Sequence, residues 1–346
     1  MKKIVILIAM ISAFIIPQST YANTNPVEAL PYKVILELPD NQQKGIKGYY
    51  NLSLSEGEEQ TLNMTLQNIS DNTIHLTMRP GNALTSTQGG IIYIENRGNE
   101  YTTLTEENFY MDQNITVPEK VELAPHEEKV VSVKVKALEK GTSLGSVLIS
   151  QDEADFETIK ENENVELSAK NRFMFAVPIQ INTEEKPNSS ENIKLLDIKN
   201  IIAPNKSFIG LELENPNAEI KEISFKYKVF NKKGEVLFDG EATPFNAAPK
   251  SKVLFHIPWQ AGNYEAGKYQ IKLTSDQIGE EVTKEFSIKR DDVKSFITES
   301  GLEVPNPILN MPLLFWIVIA VIIVGSVYVS YRIGRKKSKK SEKDVA

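Results

Sequence analysis

The sequence predicts an all-β protein with two β-sandwich domains in tandem, followed by a single transmembrane helix. Apolar and polar residues alternate in short runs through most of the chain, and a period of two with one buried face is typical of antiparallel sheets. Turn residues separate these runs at the spacing of immunoglobulin-like sandwiches. A polar stretch divides the runs into two regions, and one long uncharged apolar run follows the second region.

The chain begins with the pattern of a secretory signal peptide, which we place at residues 1–22. Lys2 and Lys3 precede an apolar run that is broken only by Ser12, and small residues follow at positions 20 and 22. This apolar run is too short to span a bilayer comfortably, since a spanning helix needs about 20 residues. We therefore expect the mature chain to start near Asn23, with an uncleaved anchor as the alternative.

The first β-sandwich domain is predicted at residues 23–184. Two alternating runs between residues 62 and 78 flank a Ser-Asp-Asn turn, and we expect their apolar residues to form one inner face of the sandwich: Leu62, Met64, Leu66, Ile74, Leu76 and Met78. Residues 104–117 alternate less regularly, which predicts an excursion or a short helix. Further strands are predicted in the runs "YKVILELP", "GGIIYI", "KVVSVKVKAL", "LGSVLIS" and "NRFMFAVPIQI".

A linker at residues 185–191 separates this domain from a second β-sandwich domain at residues 192–290. The linker is polar and contains Pro187. Within the second domain, residues 231–234 read Asn-Lys-Lys-Gly and supply the turn of a β-hairpin. A juxtamembrane segment at residues 291–312 follows, and part of it predicts a helix whose apolar side consists of Val293, Phe296 and Ile297.

An uncharged run at residues 313–331 is long enough to cross about 30 Å of hydrocarbon as a helix. Trp316 lies near one end of the run and Tyr328 near the other, where aromatic rings favour the membrane interface. The tail at residues 332–346 is basic, which predicts a single-pass protein of the cell membrane with its tail in the cytoplasm and its N-terminal domains outside. The alternatives are a buried core helix and a cell-wall sorting signal, although the sequence contains no LPxTG motif.

Charge and cysteine content limit the function. The whole chain carries a formal charge of −7, of which the basic tail contributes +5 and Lys2 and Lys3 contribute +2, so the part predicted to be exported carries −14. An exported part this acidic disfavours nucleic-acid binding, which needs a basic surface. The absence of cysteine excludes thiolate chemistry and indicates a bacterial protein, since exported eukaryotic domains usually contain disulfides.

The sequence offers no catalytic motif, so we expect no enzyme, no cofactor and no metal site. Its three histidines, His75, His126 and His256, are far apart in sequence, and we expect each to be solvated on the surface. Carboxylates are plentiful, and a wall-acting glycan hydrolase with two of them across a cleft stays as an alternative.

Several stretches, taken in order, resemble one family. Together with the signal peptide, the apolar run and the basic tail, they resemble the WxL-interacting proteins of Gram-positive bacteria over residues 31–335. The stretches in the first half are "LPDNQQKGIKGYYNLSLSEGEEQTLNMTLQN", "NALTSTQGGIIY" and "AKNRFMFAVPIQI". Those in the second half are "IKLLDIKNI", "LELENPNAEIKEISFKYKVFNKKGEVLF", "FNAAPKSKVLFHIPW" and "AGKYQIKL". The sequence departs from the family at Lys250, where the family pattern has Asn, and "GEEVTKEFSI" lacks the usual aromatic residue before the last strand.

This resemblance implies a non-catalytic, membrane-tethered binding protein. Its first domain would associate with peptidoglycan, its second would contact host surface or matrix proteins, and both would help to hold secreted WxL-domain proteins at the surface. A membrane-anchored assembly scaffold or chaperone that adds a strand to secreted proteins is the alternative. Aromatic side chains can stack on sugars or anchor a partner, although core packing explains them equally well, and the candidates for ligand contact are Tyr49, Tyr50, Tyr93, Trp259 and Tyr264.

Overall fold

The computed structural model describes residues 30–138, 140–152, 174–183 and 191–300, together with helical positions at 317, 320–326 and 328–329. Strands dominate these ranges, which confirms the predicted all-β class. By its internal contacts the chain divides into two compact units. The first unit comprises Met1–Asn82, Tyr93–Asn96 and Tyr110–Lys186, and the second comprises Ala83–Ile92, Arg97–Phe109 and Pro187–Ala346.

The elements follow one another with short connections. The strands of the first half are β1 (Tyr32–Glu37), β2 (Tyr50–Ser53), β3 (Glu59–Asn68), β4 (Ile74–Thr85), β5 (Ile91–Ile94), β6 (Gly98–Asn99), β7 (Thr102–Leu104), β8 (Ile115–Thr116), β9 (Lys120–Leu123), β10 (Glu128–Lys136), β11 (Thr142–Gln151) and β12 (Met174–Asn182). A 3-10 turn at Glu107–Phe109 lies in the irregular stretch that the sequence indicated. The remaining elements are β13 (Lys194–Ala203), β14 (Lys206–Asn215), β15 (Lys221–Asn231), β16 (Val236–Ala247), β17 (Ser251–Pro258), β18 (Gly267–Ser275), β19 (Gly279–Ile288) and helix α1 (Arg290–Glu299).

Two sheets enclose the core of the first unit. One sheet has the order β1-β3-β10-β8, and the other has the order β2-β12-β11-β4-β5, with β9 also paired to β4. All six apolar residues predicted between positions 62 and 78 are buried in this core. The prediction that they share one face is wrong, because β3 belongs to one sheet and β4 to the other. The turn between them carries the chain across the core, and the Asn68 side chain holds it by donating to the carbonyls of Asn72 and Ala124.

The second unit also has two sheets around a single core. Their orders are β13-β14-β17-β7-β6 and β16-β15-β18-β19. The predicted hairpin turn joins β15 to β16, with Gly234 at a φ of +80°, a conformation that glycine adopts without steric cost. The Asn231 side chain supports this turn by accepting hydrogen bonds from the backbone of Lys233 and Glu235.

Residues from the first half of the chain complete a sheet of the second unit. Strand β7 pairs with β17, so that Thr102 lies opposite Val253. Further along β17, Leu254 N donates to the carbonyl of Tyr101 at 2.7 Å, and His256 N donates to that of Thr87 at 2.8 Å. Residues 83–92 and 97–109, here named the inserted segment, therefore cover the edge of β17 that would otherwise be open.

A buried hydroxyl network fixes the inserted segment in place. The Thr85 side chain is fully buried, shares a hydrogen bond of 2.7 Å with the Ser251 hydroxyl and accepts another from Ala248 N at 3.0 Å. The Thr102 hydroxyl donates to the carbonyl of Thr85. At the rim, Lys250 forms an ion pair with Glu106 at 2.8 Å. The predicted first domain included these residues without assigning them to the second unit, and the predicted linker at 185–191 lies almost wholly outside the described residues and stays a prediction.

The predicted juxtamembrane helix is present as α1. Its Val293 packs against the core of the second unit, and the Asp292 carboxylate accepts a hydrogen bond from Lys289 N at the helix start. Within the part of the chain that the structure describes, no helix is long and apolar enough to cross a membrane. The predicted signal peptide and basic tail lie outside the described residues, as does most of the predicted span, and all three stay predictions.

Candidate functional site

The structure brings Trp259 and Tyr264 together in the second unit. Trp259 follows β17 directly, and its ring centroid lies 5.6 Å from that of Tyr264 and 5.3 Å from those of Phe238 and Tyr269, edge to face in each pair. The indole N–H donates to the carbonyl of Asn263 at 3.1 Å. These contacts fix the orientation of Trp259 and leave its ring half-buried.

A groove of about 360 Å³ opens beside this aromatic cluster. The turn between β13 and β14, the loop after β17 and helix α1 contribute its lining. The main side chains that line it are Lys206, Phe208, Pro258, Trp259, Tyr264 and Phe296. The volume lies at the lower end of the range for ligand pockets, and apolar rings with a few polar groups are typical of such sites.

The Tyr264 hydroxyl gives the groove an unused polar group. It is buried and has no hydrogen-bond partner among the described residues. Burial raises the pKa of Tyr264 to about 12, with smaller contributions from the nearby Asp292 carboxylate and Tyr269. The hydroxyl is therefore neutral at physiological pH and is able both to donate and to accept a hydrogen bond.

The groove continues into a short aromatic row on the outer face of the β13-β14-β17-β7-β6 sheet. The Phe208 ring centroid lies 5.2 Å from that of His256, which lies 5.9 Å from that of Tyr101 on the inserted segment. His256 was predicted to be solvated, and the structure corrects this, because its Nε2 atom is buried without a partner among the described residues. The burial lowers the pKa of His256, so the neutral imidazole is favoured.

In the first unit, the three candidate tyrosines have different environments. Tyr50 is a core residue with no exposed surface, and its hydroxyl donates to the carbonyl of Asn63, so its ring has no surface to offer to a ligand. Tyr49 and Tyr93 are only partly buried. Burial raises the pKa of Tyr93 to about 12, and the neighbouring Tyr49 hydroxyl adds to the rise, so the two phenols lie near each other.

Neutral amide groups surround Tyr49. The Asn51 side chain reaches the Tyr49 hydroxyl at 3.5 Å and accepts a hydrogen bond from Asn182 Nδ2 at 2.7 Å. Gln180 and Thr142 in turn donate to Asn182 Oδ1. These amides and hydroxyls hold β2 against β12, and the side chains of this network are uncharged.

Sequence reasoning missed three residues of the second-unit site: Tyr101, Phe208 and Phe296. Phe296 had been assigned to a helix but not to a site, and Phe208 lies in a run that was noted only as a strand. Tyr101 carried no local signal, because its neighbours on the sheet are about 150 residues away in sequence.

Comparison with protein families gives two matches in tandem. The model described as "WxL Interacting Protein, peptidoglycan binding domain" matches residues 32–151. The model described as "WxL Interacting Protein, host binding domain" matches residues 164–296. Together the two matches cover well over half of the chain. No curated protein sequence matches the chain at a significant level.

Several solved structures are distant matches. The class 5 fimbriae chaperone CfaA is 11% identical over 73% of this chain and 98% of its own, with a TM-score of 0.27. The CsuC–CsuE chaperone–tip adhesion subunit complex of Acinetobacter baumannii is 10% identical over 67% of this chain and 94% of its own, with a TM-score of 0.32. The SafA pilin in complex with the SafB chaperone from Salmonella enterica is 11% identical over 75% and 98%, with a TM-score of 0.24.

Proposed function

Because the chain belongs to the WxL-interacting protein family, we propose that it is a membrane-tethered cell-surface protein that binds peptidoglycan and host surface or matrix proteins. The observation that carries this proposal is the tandem order of the two family matches over residues 32–151 and 164–296. The predicted signal peptide, immunoglobulin-like sandwiches, membrane span and basic tail complete the proposal. Secreted WxL-domain proteins are its proposed partners at the surface.

The proposed peptidoglycan contact is the half-buried pair Tyr49 and Tyr93 with its amide neighbours. Phenol rings and neutral amides suit sugar hydroxyls and acetamido groups. The acidic exported part would be repelled by anionic wall polymers, which supports a neutral glycan as the ligand. The function needs no chemistry on the ligand, so we propose a non-catalytic protein.

The test is sedimentation of the full, detergent-solubilised chain with insoluble peptidoglycan, followed by a search of the supernatant for released muropeptides. The full chain is required, because a fragment that starts after residue 186 lacks the inserted segment. We expect the chain to sediment and to release nothing. Failure to sediment would refute the peptidoglycan assignment, and released fragments would show that the protein is a wall hydrolase.

A pair of variants makes this test specific. Replacing both Tyr49 and Tyr93 by alanine should reduce the sedimented fraction, because it removes the proposed aromatic contacts. Tyr101→Ala removes the same type of side chain from the second unit and serves as the matched control. Equal binding by both variants would leave peptidoglycan binding intact but would move its site away from Tyr49 and Tyr93.

One observation favours a second candidate, an assembly scaffold that accepts a strand from secreted proteins. Among the described residues, β1 pairs only with β3, so its other edge is open, and Ile35 on it is 50% exposed. Addition of a strand would protect the β1 amides from hydrogen exchange when a secreted WxL-domain protein binds. Unchanged exchange of the β1 amides in the complex would exclude this edge.

A further inference from the structure

We propose that the groove beside Trp259 binds a short extended peptide segment that presents a proline or aromatic ring next to a carboxylate. This inference rests on the proposed function of the second unit, for which it names the class of ligand and the residues of the site. Three features of the groove carry it, namely its ring-rich lining, the unpaired Tyr264 hydroxyl and the charge of Lys206.

The lining selects for a flat apolar side chain. Phe208, Pro258, Tyr264 and Phe296 contribute rings or a proline to the groove, and Trp259 is held in place beside them by its hydrogen bond to Asn263. Aromatic-lined grooves of this kind bind proline-rich segments in the extended polyproline conformation, which loses little entropy on binding. A groove of about 360 Å³ accommodates one or two side chains rather than a folded domain.

The polar groups select for a peptide backbone and a negative charge. The Tyr264 hydroxyl lines the groove without a partner, so a peptide carbonyl or N–H can satisfy it. Lys206 is exposed, and it is the one charged residue among the described residues that line the groove. A carboxylate on the ligand next to the inserted ring would complement it.

The aromatic row gives the site a direction. Phe208 belongs both to the groove and to the row that continues through His256 to Tyr101. A longer segment that starts in the groove therefore meets Tyr101, whose side chain is 37% exposed on the inserted segment. Tyr101→Ala should weaken a ten-residue ligand and leave a six-residue ligand unaffected.

The experiment follows the fluorescence of Trp259 in the full chain. The chain has two tryptophans, so Trp316→Phe makes Trp259 the sole reporter. The probes are a capped Pro-Pro-Phe-Glu-Pro-Pro peptide, the same peptide with lysine in place of glutamate, and the trimer of N-acetylglucosamine. We expect a saturable change with the acidic peptide, weaker binding of the basic peptide and no change with the trimer.

Charge reversal separates a binding site from a folding defect. Lys206→Glu should weaken the acidic peptide by about tenfold or more and strengthen the basic one, which a misfolded protein cannot do. Lys233→Glu in the β15–β16 turn makes the same charge change away from the groove and should alter neither titration. Tyr264→Phe keeps the ring and should weaken the acidic peptide by about tenfold through loss of one hydrogen bond.

The outcomes distinguish this inference from the proposed function. Binding of the same variants to immobilised host matrix proteins is measured in parallel. Matrix binding that Lys206→Glu leaves unchanged, with no response to either peptide, would refute the groove and keep the proposed function. Peptide binding without matrix binding would keep the groove and refute the host-binding assignment, whereas a response to the sugar trimer alone would show a glycan site instead of a peptide site.

Discussion

Thr85→Val tests whether the inserted segment is a structural part of the second unit. Thr85 is fully buried, and its hydroxyl bonds to Ser251 and to the backbone N–H of Ala248. Valine has nearly the same shape, so the substitution leaves no cavity and removes only the hydroxyl. Because Ala248 is also fully buried, its N–H has no access to water after the change.

The expected cost follows from this loss of partners. A buried N–H left without an acceptor costs about 1–3 kcal/mol, and the lost bond to Ser251 adds about 0.5–1.5 kcal/mol. Ser251 keeps its bond to the carbonyl of Ala248, so no second group is left without a partner. The free energy of unfolding of the second unit should therefore fall by about 2–4 kcal/mol, a large fraction of the stability of a domain.

The assay is urea unfolding of the full chain in the Trp316→Phe background. Trp259 packs against the core of the second unit and reports its unfolding, whereas hydrogen exchange of the β3 amides reports on the first unit. With a urea dependence of about 2 kcal/mol per molar, the Trp259 transition should move down by about 1–2 M and the β3 exchange should not change.

Thr87→Val is the matched control, because it removes a hydroxyl of the same segment that makes no hydrogen bond among the described residues. Its effect should stay within about 0.5 kcal/mol. An effect of Thr85→Val as small as that of Thr87→Val would refute the placement of the inserted segment. A double-mutant cycle with Ser251→Ala should also show a coupling of about 0.5–3 kcal/mol, as residues in direct contact do.

Three further predictions test the packing and the titratable groups. Gly89→Ala should destabilise the second unit by about 1–3 kcal/mol more than Gly90→Ala in urea unfolding, because both glycines have positive φ but a Cβ at Gly89 would lie 2.8 Å from the Phe245 ring. Since burial lowers the pKa of His256 below its usual 6.5, the stability that depends on its neutral form is complete above pH 6.5 and declines as the pH falls, and His256→Phe should flatten this decline in Trp259-detected unfolding. Since burial raises the pKa of Tyr93 from 10.0 to about 12, its contribution to stability is present below pH 10 and lost as the pH rises through about 12, a loss that Tyr93→Phe should remove in unfolding followed by β3 exchange.

Local patterns predicted the residues that face the cores. Leu62, Met64 and Leu66 are buried on β3 as their alternation requires, because a strand places every second side chain on the same face. The hairpin turn at Asn231–Gly234 and helix α1 were predicted for the same reason, since turn residues and helical periodicity act over a few positions. The pattern could not show that β3 and β4 belong to opposite sheets, because alternation defines a face but not a partner strand.

The strands of the inserted segment were beyond local reasoning. β6 has two residues and β7 has three, too few to show a period. Their position depends on β17, which lies about 150 residues further along the chain. The only local trace is a set of hydroxyl side chains that become buried, Thr85, Thr102 and Ser251, and such residues are mostly exposed in proteins.

The error at His256 has the same origin. Its parity on β17 places it on the outer face of the sheet, where a histidine is normally solvated. Tyr101 lies against it there, and Tyr101 reaches that face only because the inserted segment crosses to the second unit. One missing long-range pairing therefore accounts for the wrong environment of His256 and for the absence of Tyr101 from the predicted site.

The boundaries of the family matches and those of the structural units answer different questions. Residues 32–151 match the peptidoglycan-binding model, yet the inserted segment within them folds into the second unit. A ligand contact at Tyr101 would be assigned to peptidoglycan binding on sequence grounds, although its ring lies beside His256 on the sheet of the host-binding match. Loss of host binding on removal of the first matched region would then report an uncovered β17 edge, and only side-chain changes such as Thr85→Val and Tyr101→Ala separate this effect from lost ligand contacts.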